Sequence, residues 1–153
     1  MTSALAKDIK ELVRSCSAKE AALLPALYLA QGKTGCLDDK ALELVSDTLL
    51  IPRARVRGVA SFYDMFRSGP MGRHIIRLCT NVVCMIMGAE KLADMLDRKY
   101  GVKPFETSPD SRFSLVIMEC IGACGTAPAM LVNDDLHENL SEDRIVEILD
   151  NYK

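Results

Sequence analysis

The stretch HIIRLCTNVVC, residues 74–84, decides the fold, together with FSLVIMECIGAC at residues 113–124. HIIRLC and FSLVIMEC are each typical of a short strand, the second being rich in β-forming residues. Between them, Gly88 to Tyr100 has the pattern of an amphipathic helix that ends at Gly101. The order strand, helix, strand predicts a parallel crossover.

The remainder of this half predicts a hairpin and a last helix. AMLVN at 129–133 is a third strand, and the turn Asn133-Asp134-Asp135 returns a short fourth. Ser141 is placed to cap a final helix through Ile145, Ile148 and Leu149. The order strand, helix, strand, strand, strand, helix is that of a reduced thioredoxin-like fold.

The first half is predicted to be a small helical bundle. Apolar residues recur at helical spacing from Ala4 to Val13 and from Leu37 to Leu50. Ser17 and Glu20 form a capping box that predicts a helix start at Ala18. Pro25 should either kink the second helix or begin a new one. Gly32 and Gly35 should end that helix, and a short helix is predicted after Pro52. The predicted class is therefore α+β/α/β, with a helical N-terminal region at 1–70 and a thioredoxin-like domain at 71–153.

Composition limits the function. The net charge is -2 and the pI about 5.7, so a general attraction to nucleic acid is not expected. Without an apolar N-terminal signal, we expect a cytoplasmic chain, in which six cysteines indicate metal or redox chemistry rather than disulfides. Ser114 to Val132 is nearly apolar, but its Glu119 and Pro128 argue against a membrane span.

Charge is unevenly distributed. Residues 53–77 hold six arginines against Asp64, whereas residues 132–153 hold seven acids against Arg144 and Lys153. These are either two solvated faces or surfaces that dock electrostatically onto a partner protein.

The cysteines carry the functional hypothesis. Four residues separate Cys79 from Cys84 and three separate Cys120 from Cys124, and each pair follows a predicted strand. If the strands are parallel, both loops leave the same edge of the sheet. A 2Fe-2S cluster needs two thiolates on each iron, which two such loops supply.

Neighbouring residues are assigned lesser roles. Gly122 and Gly125 allow backbone N–H groups to approach sulfur, although they can equally well make only a turn. Five methionines near the pairs are expected to be core packing or an apolar shell, namely Met85, Met87, Met95, Met118 and Met130. His74, His137, Cys16 and Cys36 are interpreted as structural or surface residues outside the site.

Three segments closely resemble one family: GVASFYDMF at 58–66, GRHIIRLCTNVVCMIMGAEKL at 72–92 and ECIGACGTAPAMLVND at 119–134. The chain is similar to the thioredoxin-like 2Fe-2S subunit of the NADH dehydrogenase module of respiratory complex I. Its relatives occur in NAD-linked and electron-bifurcating hydrogenases and in NAD-dependent formate dehydrogenases.

The resemblance implies the ligands, the cofactor and the partners. All four of Cys79, Cys84, Cys120 and Cys124 ligate the single cluster in that family, whose partner subunit carries FMN, the NADH site and a 4Fe-4S cluster. The sequence itself has no Gly-rich dinucleotide fingerprint after a strand, in agreement with a nucleotide bound elsewhere. We therefore expect an electron-transfer subunit of an NAD(P)H-linked oxidoreductase complex, without a complete active site in this chain.

Three alternatives remain open. Four cysteines also suit a structural zinc site, although zinc knuckles commonly use C-x2-C spacing. A thiol-disulfide oxidoreductase would need a C-x-x-C motif, which this sequence does not contain. A free-standing ferredoxin shuttle keeps the same cluster and changes the partner.

Overall fold

The computed structural model describes the backbone of residues 2–153 and the side chains of residues 4–153. These residues divide into two compact units, with the boundary between Pro70 and Met71. The first unit is helical, and the second contains a mixed four-stranded sheet with helices. The predicted fold class is confirmed.

Four helices make up the first unit. Their apolar faces meet in one core, which includes the fully buried Ile9, Leu27, Val45 and Val56. In chain order the helices are α1 (Thr2–Arg14), α2 (Leu23–Thr34), α3 (Asp39–Leu49) and α4 (Arg53–Phe62).

The helix start predicted from the capping box at Ser17 and Glu20 is wrong. Residues around it form single turns, for example with the Leu23 N–H donating to the Glu20 carbonyl at 3.2 Å. The helix begins at Leu23, which places Pro25 in the first turn, where a missing N–H costs nothing. A helix that began at Ala18 would press the Pro25 ring against the Ala21 carbonyl.

Glycine ends α2 at only one of the two predicted positions. Gly32 lies inside the helix, whereas Gly35 follows its last residue at φ +81° and donates its N–H to the Gln31 carbonyl at 2.8 Å. The next helix begins with Asp38, whose side chain accepts a hydrogen bond from the Ala41 N–H at 2.8 Å. The predicted α3 is confirmed to within two residues at its start.

The second unit follows the predicted order with one additional helix. Its sheet has the strand order β2-β1-β3-β4. The elements are β1 (His74–Cys79), α5 (Val82–Ile86), α6 (Ala89–Tyr100), β2 (Phe113–Met118), a 3-10 turn at Cys124–Thr126, β3 (Met130–Val132), β4 (Asp135–His137) and α7 (Glu142–Asp150). The sequence analysis did not predict α5.

The parallel pairing of β1 with β2 sets the position of the cysteines. His74 lies opposite Phe113 and Cys79 lies opposite Met118, with the four pairs between them in register. Strand β3 pairs antiparallel on the other side of β1 and forms a hairpin with β4. The predicted crossover is confirmed, and the loops after β1 and β2 leave the sheet at the same edge.

Helices α6 and α7 pack on this sheet and have the predicted ends. Gly101 ends α6 with φ +62°, and the Ser141 hydroxyl accepts a hydrogen bond from the Arg144 N–H at 3.2 Å to begin α7. Their apolar faces and the sheet share a core that includes Leu78, Leu96, Leu115, Met130, Ile145 and Leu149.

Among residues 2–153, none of the helices combines the length and the hydropathy that crossing a bilayer requires. The apolar stretch from Ser114 to Val132 instead contains most of β2, the 3-10 turn and β3.

We predict that Gly72→Ala destabilises the protein, because a Cβ at residue 72 would lie 2.8 Å from the backbone carbonyl carbon of Phe113. That backbone belongs to β2 and cannot move aside without disturbing its pairing with β1. The expected loss in the free energy of unfolding is about 1–3 kcal/mol, measured by denaturant titration. Gly69→Ala is the matched control, since its Cβ would meet nothing within 4 Å. Equal stability of the two variants would contradict the prediction.

Candidate metal centre

The four paired cysteines all lie at one edge of the sheet. Cys79 ends β1 and Cys84 lies in α5, while Cys120 follows β2 and Cys124 begins the 3-10 turn. All four are free thiols. The parallel register of β1 and β2 thus places both pairs where the sequence analysis expected them.

A short helix turns the chain back between Cys79 and Cys84. Asn81 precedes this helix, and its side-chain oxygen accepts a hydrogen bond from the Val82 N–H at 2.8 Å. Its backbone carbonyl accepts from the Met85 N–H at 2.9 Å. Asn81 is therefore a residue of the site that sequence reasoning missed, although an Asn just before a helix is itself a recognisable cap signal.

The two loops contact each other at Cys79. Its thiol donates a hydrogen bond to the carbonyl of Glu119, the residue before Cys120, at 3.8 Å, and the thiols of Cys84 and Cys120 contribute to lowering the pKa of Cys79. Cys84 also interacts electrostatically with Cys124. The two loops thus place the four predicted site residues near enough to affect one another's ionisation.

Backbone groups stabilise the thiolate form of Cys79. Burial alone would raise the pKa of this thiol, but hydrogen bonds from the backbone of Asn81 and Ile121 and from neighbouring thiols outweigh it and lower the pKa below its ordinary value. The Cys79 N–H is itself held by the Ala129 carbonyl at 3.2 Å. Ala129 follows Pro128, which is joined to Ala127 by a cis peptide bond.

The opposite shift affects Cys84. Burial raises the pKa of the Cys84 thiol, and its hydrogen bond with Cys79 raises it further. The Ala129 backbone opposes this by a hydrogen bond, and the negative charges of Cys79 and Cys124 add to the increase. Two neighbouring thiols cannot both ionise easily unless a cation is bound between them, because the two negative charges repel each other.

The two pairs differ in exposure. Cys79 and Cys84 are each only 2% exposed and pack with Ala89, Ile121 and Ala127, whereas Cys120 and Cys124 are exposed. One half of the site is therefore part of a small apolar core, and the other half faces outward.

The outward loop turns at glycine. Gly122 has φ +83°, a conformation that side chains rarely adopt, and its N–H donates to the Cys120 Sγ at 3.3 Å. This confirms the expected approach of a backbone N–H to sulfur at Gly122. Gly125 lies within the 3-10 turn with open space around it.

The residues excluded from the site have other roles. His74 interacts with the Lys153 carbonyl and the Asn133 side chain, and His137 interacts with the Tyr152 hydroxyl. Met95 and Met130 belong to the core, while Met85 and Met87 are exposed. Cys16 and Cys36 lie half-buried in the helical unit.

The donor set fits an iron–sulfur cluster. Four free thiols from two loops supply one soft sulfur pair per iron, and backbone N–H groups approach their sulfurs. Within residues 2–153 no three His, Cys, Asp or Glu side chains have the spacing to hold a single metal ion.

A thioredoxin-like sheet with two thiol pairs at one edge defines a class of redox protein in which thiolates hold a metal centre. Residues 9–153 match the family model of the thioredoxin-like [2Fe-2S] ferredoxins. The chain belongs to this family and takes one 2Fe-2S cluster.

Several known proteins are similar over most of this chain. An NADH-quinone oxidoreductase subunit of Rhizobium meliloti (strain 1021) is 40% identical over 135 residues, which are 88% of this chain and 80% of the relative. An NADH-quinone oxidoreductase subunit of Aquifex aeolicus (strain VF5) is 36% identical over 97% of this chain and 92% of its own length. An NAD+-reducing [NiFe]-hydrogenase, solved in its air-oxidized state, has a TM-score of 0.73 at 28% identity. The match covers 85% of this chain and 22% of the hydrogenase chain.

We predict that alkylation of the cluster-free protein follows exposure. Iodoacetamide should modify Cys120 and Cys124 first and Cys84 last, because Cys84 is buried and its raised pKa keeps it protonated at neutral pH. The expected difference in rate is at least about tenfold, measured by mass spectrometry of peptides. The unfolded protein is the control, in which these differences should disappear. Equal rates for Cys84 and Cys120 in the folded protein would contradict the prediction.

Proposed function

We propose that this chain is the electron-transfer subunit of an NAD(P)H-linked oxidoreductase complex, with its cluster held by Cys79, Cys84, Cys120 and Cys124. The observation that carries the proposal is the meeting of two thiol pairs at one edge of a thioredoxin-like sheet. The relatives support the assignment to a complex, since they are named as subunits of NADH-quinone oxidoreductase. We infer that a neighbouring subunit holds FMN and the NADH site, and that further iron–sulfur subunits complete the complex.

The protein's own residues bind the cluster and set its surroundings. A bound 2Fe-2S cluster supplies a centre that accepts and returns one electron. Cys79 and Cys84 would hold one iron within the small apolar core, which would keep water away from that half. Cys120 and Cys124 would hold the other iron at the surface, where the Gly122 N–H, which donates to the Cys120 sulfur, would stabilise its charge.

A partner surface is supported by the apolar residues beside the thiols. No charged residue lies between Leu78 and Ala89. Four large apolar side chains in this segment are exposed, namely Val82 (56%), Met85 (46%), Ile86 (75%) and Met87 (57%). An uncharged patch of this kind is typical of the core of a stable interface. It favours a permanent subunit over a free-standing shuttle.

The arginine-rich segment, residues 53–77, supports a partner surface less well than the apolar patch does. Arg53 and Arg57 form ion pairs with Glu43 and Asp39 of α3. These two charges are therefore used within the helical unit, and the apolar patch carries the argument for a partner.

The ligand assignment predicts the iron content of six variants. Replacing Cys79, Cys84, Cys120 or Cys124 by Ala should deplete iron and acid-labile sulfide, because one iron then loses a thiolate. Cys16→Ala and Cys36→Ala are matched controls and should retain the wild-type content. Wild-type iron in the Cys120→Ala protein would contradict the assignment.

The same preparation separates the cluster from a zinc site. Anaerobically purified wild-type protein should be coloured and contain iron and sulfide. A colourless protein that contains zinc without sulfide would favour the structural zinc site.

A second prediction concerns the partner. In the native host, an affinity-tagged Ile86→Ser/Met87→Ser variant should recover at least about tenfold less FMN per tagged chain than the wild type, because two exposed apolar contacts are lost. Its visible absorption spectrum should not change. Phe105→Ser is the matched control, since Phe105 is also exposed (72%) but lies in the loop after α6. Undiminished FMN recovery with the double variant would rule out this patch as the docking surface.

A further inference from the structure

The outward half of the site receives little support from packing. We name residues 119–129 the ligand loop, because it carries Cys120 and Cys124. Its 3-10 turn, Cys124–Thr126, contains no buried residue. A Cβ placed at Gly122 or at Gly125 would meet no other atom within 4 Å. Ile121 and Ala127, on either side of this turn, pack against the small apolar core, but the turn that carries Cys124 has no buried side chain of its own.

A second segment supplies that support through hydrogen bonds. We name residues 138–140, which lead from β4 to α7, the strap. The Asn139 N–H donates to the Thr126 carbonyl at 2.7 Å, and the Leu140 N–H donates to the Pro128 carbonyl at 3.1 Å. The strap is itself anchored, because Leu140 is 7% exposed and packs in the core of the sheet.

One side-chain pair completes the connection. The Thr126 hydroxyl donates a hydrogen bond to the Glu138 carboxylate, and both residues are half-buried. A charged acceptor makes such a bond stronger than one between neutral groups. Thr126 also closes the turn of the ligand loop, since its N–H donates to the Ala123 carbonyl at 3.2 Å. Thr126 thus joins the turn that begins at Cys124 to the anchored strap.

We propose that Thr126 and Glu138 are positioning residues that hold the Cys124 end of the ligand loop and thereby retain the outward iron. The inference rests on the proposed function, since it requires that Cys120 and Cys124 bind iron. Neither residue touches the cluster in this role, and both act through the backbone around Cys124.

The test uses the loaded protein and measures iron release. Wild-type and variant proteins are treated anaerobically with bathophenanthroline, and the iron complex is followed by its absorbance. Thr126→Val keeps the shape of the side chain and removes the hydroxyl, so release should be about tenfold faster or more. Thr126→Ser restores the donor and should remain within about twofold of wild type. The visible circular dichroism of Thr126→Val should also change, because it reports the geometry around the cluster.

Variants at residue 138 identify the partner. Glu138→Ala should release iron as fast as Thr126→Val, and Glu138→Gln, which keeps an acceptor, should fall between them and wild type. The Thr126→Val/Glu138→Ala double variant should be no faster than either single variant, because both remove the same bond. If the two substitutions instead multiplied each other's effect on the rate of iron release in the double variant, the proposed pairing of Thr126 with Glu138 would be wrong.

A matched control separates the positioning of Cys124 by Thr126 from a general loss of stability caused by removing a threonine hydroxyl. Thr107→Val removes another threonine hydroxyl, that of an exposed residue, which contacts the Ser114 hydroxyl at 2.6 Å beside the start of β2. Its release rate should equal that of wild type. The inference is overturned if Thr126→Val behaves as wild type, or if Thr107→Val releases iron equally fast. Wild-type protein that never contains iron and sulfide would instead refute the proposed function.

Discussion

The parallel pairing of β1 with β2 is the constraint on which the rest of the second unit depends. Parallel strands end on the same side of a sheet, so Cys79 and Met118 lie side by side and the two loops emerge together. An antiparallel pairing would send them to opposite ends. The crossover through α6 makes the parallel arrangement possible, and the core beneath it fixes the register. The chemistry at the edge is therefore a consequence of strand direction.

The sequence predicts the strands and helix ends whose signals are local. The strand HIIRLC matches β1 residue for residue, and Gly101 and Ser141 mark the helix ends that their conformational preferences predict. Each of these signals lies within the element that it specifies. The two cysteine pairs are equally local, which is why they could be proposed as ligands before their geometry was known.

The errors and omissions arise where distant or competing interactions decide the structure. Ser17 and Glu20 carry a valid helix-start signal, but Pro25 excludes that helix and moves its start to Leu23. The contact between Thr126 and Glu138 joins residues twelve positions apart and has no sequence pattern at all. The difference in exposure between the two cysteine pairs is likewise a property of the folded sheet, because both pairs are followed by similarly small or apolar residues.

That difference in exposure bears on how the proposed partner would affect the site. Cys120 and Cys124 face outward, and the apolar residues around Ile86 lie in the helix that carries Cys84, so a subunit docked on the proposed patch would change the surroundings of the thiols. Burial and hydrogen bonding to sulfur are among the factors that set the potential of a cluster. Thermodynamic linkage makes the effect reciprocal: a partner that binds one redox state tenfold more tightly shifts the potential of this one-electron couple by about 59 mV. If the partner docks on this patch, assembly of the complex and the electron affinity of its cluster are linked, because the patch lies in the helix that carries Cys84.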